Sequence, residues 1–154
     1  MPSNSSLVAV VTAIVGGLSF LQIPLDMQSR VLSRRASLIA LSLLLMCVGT
    51  DLAVVKSSRW ALVGLPTTMG ISTTYLLAWR VSSKALGLGD VLLVIPLTLA
   101  VSYVGIEGVL YWQLLAACTG ALHAIVMRLW RGQKSIPFGP HLLLAALGVL
   151  IVSV

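Results

Sequence analysis

Six apolar runs, each close to the length needed to cross a bilayer, follow one another with short polar connections, and this restricts the chain to few folds. A hydrocarbon core of roughly 30 Å asks for about 20 mostly apolar residues in helical form. The runs are Leu7 to Leu25, Ser37 to Val55, Trp60 to Trp79, Asp90 to Ile106, Gly108 to Met127 and Phe138 to Val154, the fourth and sixth being the shortest. Lipid offers the backbone no hydrogen-bond partner, so each run must satisfy its own N–H and C=O groups as a helix. The expected fold is all-α: a polytopic membrane protein, a bundle of about six transmembrane helices, forming one domain over residues 1–154. Only 9% of the residues are charged, against about 25% in an ordinary soluble domain. A soluble protein with a large core is therefore excluded.

The formal net charge of +6 raises nucleic acid as a partner, but the placement of the charges argues against it. The basic residues lie in the short connections, with no basic stripe and interleaved aromatics. Arg30, Arg34, Arg35, Arg80, Lys84, Arg128, Arg131 and Lys134 fall after the first, third and fifth runs, whereas Lys56 and Arg59 follow the second. Lys and Arg are retained on the cytoplasmic side. The first, third and fifth connections are thus expected in the cytoplasm and both termini outside. No Lys or Arg precedes the first run, so it reads as a retained helix rather than a cleaved signal.

This topology decides which acids can meet. Asp26 closes the first run and Asp90 opens the fourth, on the same expected face; Asp51 and Glu107 lie toward the other. Asp90 stands in Gly87-Leu88-Gly89-Asp90, where the glycines permit close backbone approach or unusual torsions. It also fits an ordinary helix N-cap, where Asp is favoured. A carboxylate at the mouth of a membrane helix is expensive and usually has a function. Pro24, Pro66 and Pro96 each free a backbone carbonyl, an arrangement that membrane helices tolerate.

Two carboxylates that share one proton can hydrolyse a peptide. The ionised one activates a water and the protonated one polarises the scissile carbonyl. Asp90 at a helix N-terminus is the better anion and Asp26 at a C-terminus the better proton carrier, although Arg30 opposes that division and coupled groups titrate as a pair. Other chemistry is poorly supported. Cys47 and Cys118 lie inside apolar runs and read as small buried hydrophobes. His123 and His141 lack metal-ligand spacing; neither a metal nor an organic cofactor is implied. Tyr75, Trp79, Tyr111 and Trp112, near run ends, read as interfacial aromatics.

Gly87-Leu88-Gly89-Asp90-Val91 resembles the Gly-x-Gly-Asp motif of the type IV prepilin peptidases, intramembrane aspartic peptidases in which a second catalytic aspartate ends the first core helix before a basic stretch. Asp26-Met27-Gln28-Ser29-Arg30-Val31-Leu32 fits that pattern, and Ile136-Pro137-Phe138-Gly139-Pro140 resembles the segment opening the family's last helix. The resemblance implies catalytic roles for Asp26 and Asp90, with backbone support from Gly87 and Gly89. It implies a short, peptidase-only form without methyltransferase activity. Two positions depart from it: Ser33 and Arg34 stand where Pro and then Asn or Asp are common, and Leu92 where a basic residue is usual.

Three functions follow as expectations. The first is an aspartic endopeptidase in the cytoplasmic membrane of a prokaryote, removing the basic leader of pilin-like precursors. The second, motivated by Ser33 and Leu92, is a catalytically inactive scaffold that serves pilus or secretion components. The third is a small transporter using the two aspartates as a proton relay.

Overall fold

The computed structural model describes residues 5–29, 34–55, 59–81, 87–131 and 138–153. They form six helices: α1 (Ser5–Ser29), α2 (Arg34–Val55), α3 (Arg59–Val81), α4 (Leu88–Val101), α5 (Ile106–Arg131) and α6 (Gly139–Val152). A 3-10 turn, Ser102–Val104, follows α4. The chain is an all-α membrane bundle. Stretches of α1, α2, α3 and α5 are each long and apolar enough to cross a membrane. At 14 residues each, α4 and α6 reach only about 21 Å at 1.5 Å per residue. The four long helices turn apolar side chains outward, among them Phe20, Val54, Leu62, Met69 and Leu122. In water these would form an adverse patch; in a bilayer they meet lipid tails.

The short helix α4 is the centre of the bundle. It packs on α3, α2, α6, α1 and α5, and ten of its 14 residues are buried, from Asp90 to Val101. The sequence accounts for this: apart from Thr98, whose hydroxyl bonds back to Val94 O, Val91 to Val101 is apolar on every side, the mark of a helix with no outward face. Lipid tails are as apolar as leucine, so close packing and hydrogen bonds must hold the helices together. Small residues provide the close approach. A Cβ on Gly64 of α3 would meet Ser102 Oγ at 2.6 Å, and one on Gly120 of α5 would meet Phe138 Cε2 at 2.6 Å.

Two indoles tie the layers. Trp60 of α3 donates its ring N–H to the Leu99 carbonyl of α4 at 2.8 Å, and Ser102 Oγ donates to the same oxygen at 2.7 Å. That carbonyl lies where the α-helix gives way to the 3-10 turn. Gly105, with φ of 108°, then turns the chain into α5 in a conformation that favours glycine. Trp112 of α5 is fully buried and donates to Leu142 O of α6 at 2.9 Å. The interfacial placement expected for Trp112 is therefore corrected: its ring is a core element, while Tyr111 beside it is exposed.

Antiparallel neighbours bring one end of each helix to a common level. Gln22 of α1 donates to Ser37 Oγ of α2 at 3.0 Å, so the end of α1 lies beside the start of α2. By the same antiparallel pairing Trp60, at the start of α3, meets Leu99, near the end of α4, so the end of α3 lies beside the start of α4. This end carries Asp90. The opposite end carries Asp51 and Glu107, in the last turns of α2 and the first turn of α5.

Candidate functional site

The site is built on the first turn of α4. Gly87 is the N-cap, with φ −68° and ψ 137°, and its carbonyl accepts the backbone N–H of Asp90 at 3.1 Å and of Val91 at 3.3 Å. Asp90 is therefore the third helical residue and not the cap, and no side chain caps this helix. The capping alternative fails because the helix begins two residues before Asp90. Its carboxylate is nevertheless inside the first turn, where the helix dipole favours an anion.

The torsions of Gly87 are open to any residue, so its value is not conformational freedom. A Cβ there would stand 3.1 Å from Asp90 Oδ2. The missing side chain leaves room for the carboxylate to fold back against the cap. Gly89 occupies the second helical position. Asp90 itself is only 8% exposed, an expensive place for an ionisable group unless neighbours hold it.

Tyr75 of α3 lies near Asp90 across the packing of α3 on α4, and its phenol O–H donates to Gln113 Oε1 of α5 at 2.7 Å. Tyr75 is half-buried, with its hydroxyl turned to α5. The Tyr75–Gln113 pair joins α3 to α5. Sequence reasoning missed it because Tyr75 and Gln113 are 38 residues apart and their rotation about their helices has no local signal.

Asp26 stands near the end of α1, which continues through Pro24 to Ser29. Its side chain lies outside the described residues, as do Arg30 to Ser33, Ile136 and Pro137. One turn earlier, Gln22 is fully buried toward α2. α1, the helix carrying Asp26, packs against α4, the helix carrying Asp90. Leu92, where the resembled family has a basic residue, is half-buried on α4. Asp51 is half-buried and Glu107 exposed, both at the far end.

A second polar pair joins α5 to α6. His123 Nδ1 and His141 Nε2 are 2.9 Å apart, so one ring donates and the other offers its lone pair. The two histidines read separately in the sequence; only the register of the α5–α6 hairpin brings them together. Among the described residues, no three His, Cys, Asp or Glu side chains cluster as a metal site would require. No protein-family model, curated protein or solved structure matches the chain.

Proposed function

We propose that the protein is an aspartic endopeptidase of a prokaryotic cytoplasmic membrane, with Asp26 and Asp90 as its catalytic pair. The observation that carries the reading is the buried Asp90 carboxylate in the first turn of the central helix, with Gly87 making room for it. The adjacency of α1 and α4 supports the choice of Asp26 as partner. The proposed orientation puts this end in the cytoplasm and both termini outside, following the basic residues in the connections.

In this reading the ionised carboxylate takes a proton from a water molecule while its oxygen adds to the scissile carbonyl carbon. The protonated carboxylate gives its proton to the carbonyl oxygen. The tetrahedral intermediate then collapses: the C–N bond breaks, a proton passes to the departing amine, and the starting protonation of the pair is restored. The helix dipole at the start of α4 favours Asp90 as the ionised member.

The proposed substrate is a pilin-like precursor with a basic leader before an apolar helix, cut near the membrane face. Such a substrate anchors itself in lipid and brings its junction to the level of Asp90. Components of a pilus or secretion assembly are the proposed partners. The direct test is incubation of the purified protein in liposomes with such a precursor, scoring cleavage at the junction and its dependence on both aspartates. An inactive scaffold would bind the precursor and leave it whole.

A further inference from the structure

The face of α3 that carries Tyr75, together with Gln113 of α5, holds polar atoms that the bundle does not satisfy. Thr68 Oγ1, Ser72 Oγ and Gln113 Nε2 are buried without a hydrogen-bond partner among the described residues. Thr68, Ser72 and Tyr75 recur at helical spacing, so they share one face of α3. Thr73 and Thr74, on the outer side of the same helix, bond back to the carbonyls four residues earlier. Thr68 and Ser72 could do the same and do not. Buried polar groups without partners are rare in folded proteins and call for an explanation.

The packing shows where these atoms could be uncovered. α3 rests on α4 and the 3-10 turn, and α5 rests on α6, the 3-10 turn and α4; α3 and α5 are not major packing partners. The hydrogen bond from Tyr75 to Gln113 bridges them. This one neutral hydrogen bond is a polar tie from α3 to α5; Thr68 and Ser72 share the face of α3 that carries Tyr75, and Gln113 is the other end of the bond.

A peptidase acting on a membrane helix faces a particular difficulty. The junction to be cut must enter the bundle in extended form, and there its backbone N–H and C=O groups lose water and need protein partners. We propose that the α3–α5 seam, opened by release of the Tyr75–Gln113 hydrogen bond, binds the extended junction segment of a membrane-helix substrate. Ser72 and Thr68 hydroxyls can donate or accept, and the Gln113 amide N–H donates. Together they offer an extended backbone both kinds of partner and direct the scissile bond toward Asp90. This inference rests on the peptidase reading for the substrate class but not for the existence of the seam.

The test uses the full chain in liposomes with Cys47→Ala and Cys118→Ala. Single cysteines are placed in the seam (Ser72→Cys, Gln113→Cys) or on outward positions of the same helices (Met69→Cys, Leu114→Cys). The probe is a synthetic peptide with a basic leader, an apolar helix and one cysteine at their junction, in an Asp90→Asn background that prevents turnover. Oxidative crosslinking is expected to favour the two seam positions over the outward ones several-fold. Equal yields at seam and outward positions would overturn the proposal. A second measurement needs no peptide and protects against a seam cysteine that disturbs binding. Tyr75→Phe removes the bridging hydrogen bond and keeps the ring, and should raise labelling of Ser72→Cys by a water-soluble maleimide roughly fivefold, the effect of losing one neutral hydrogen bond. Unchanged labelling would also overturn the proposal. Cleavage of the same peptide with Asp90 intact is scored separately. Seam crosslinks without cleavage support the seam and remove the peptidase reading; cleavage with equal crosslinks does the reverse.

Discussion

Gly87→Ala separates catalytic geometry from folding more cleanly than any other substitution in the chain. The backbone at Gly87 has φ −68° and ψ 137°, which alanine adopts without strain. Gly87 is exposed, so the new methyl displaces no core atom. Replacing glycine at a compatible position stabilises a protein by about 0.4–1 kcal/mol through the unfolded chain, and alanine is a poorer N-cap than glycine by about the same amount, so the two effects roughly cancel. The same methyl would stand 3.1 Å from Asp90 Oδ2, inside ordinary van der Waals contact, so the carboxylate must give way by a few tenths of an ångström. A misplacement of about 1 Å can cost roughly a hundredfold in rate, so a shift several times smaller should cost about tenfold in kcat. That corresponds to about 1.4 kcal/mol of barrier. The assay pairs cleavage of a basic-leader precursor with thermal unfolding in one detergent. The expected result is slower cleavage by a protein about as stable as the parent. Full activity at unchanged stability would show that the space above the Asp90 carboxylate does not matter and would refute the reasoning.

Other substitutions probe the frame. Gly64→Ala drives a methyl to 2.6 Å from Ser102 Oγ and 3.1 Å from Trp60 Cδ1; overpacking of this kind costs about 1–3 kcal/mol, and thermal unfolding should show part of it recovered by adding Ser102→Ala. Replacing His123 by Leu leaves His141 without its partner, a loss of about 1–3 kcal/mol. The double substitution His123→Leu/His141→Leu should then cost less than the sum of the two single ones in a double-mutant cycle. Cysteine labelling from either side of the membrane should place Arg34, Lys84 and Lys134 on one face and Lys56 with both termini on the other; Lys84 and Lys56 on the same face would remove the basis for pairing Asp26 with Asp90.

The helices were legible because bilayer thickness fixes their length and lipid forbids alternatives. The differences lie at their ends. α4 begins at Leu88 because the Gly87 carbonyl takes the first helical hydrogen bonds, and α1 runs past Asp26 because a proline within a helix frees one carbonyl without ending it. The motif around Asp90 was legible as a pattern, but the role of its first glycine was not: the torsions are ordinary and the constraint is space. The central place of α4 was written in its all-round apolar run, a signal that hydropathy alone reads as one more span. The pairs Tyr75–Gln113 and His123–His141, and the burial of Trp112, depend on how each helix is rotated against its neighbours. That rotation is set by packing at Gly64, Gly120 and the two indoles, far away in sequence.

The central claim is that Asp26 and Asp90 act as one catalytic unit. Its most direct test is cleavage of a basic-leader precursor in liposomes by the parent, Asp26→Asn, Asp90→Asn, the double variant, Asp51→Asn and Glu107→Gln, all at matched membrane content. Asparagine keeps the shape and hydrogen bonding of aspartate but cannot exchange the catalytic proton. The account predicts that each single Asn variant abolishes cleavage and that the double variant is no worse, as for residues that work as a unit, while Asp51→Asn and Glu107→Gln stay active. Substantial cleavage by Asp90→Asn would contradict it, and loss in Asp51→Asn equal to that in Asp26→Asn would show that the pair is a different one.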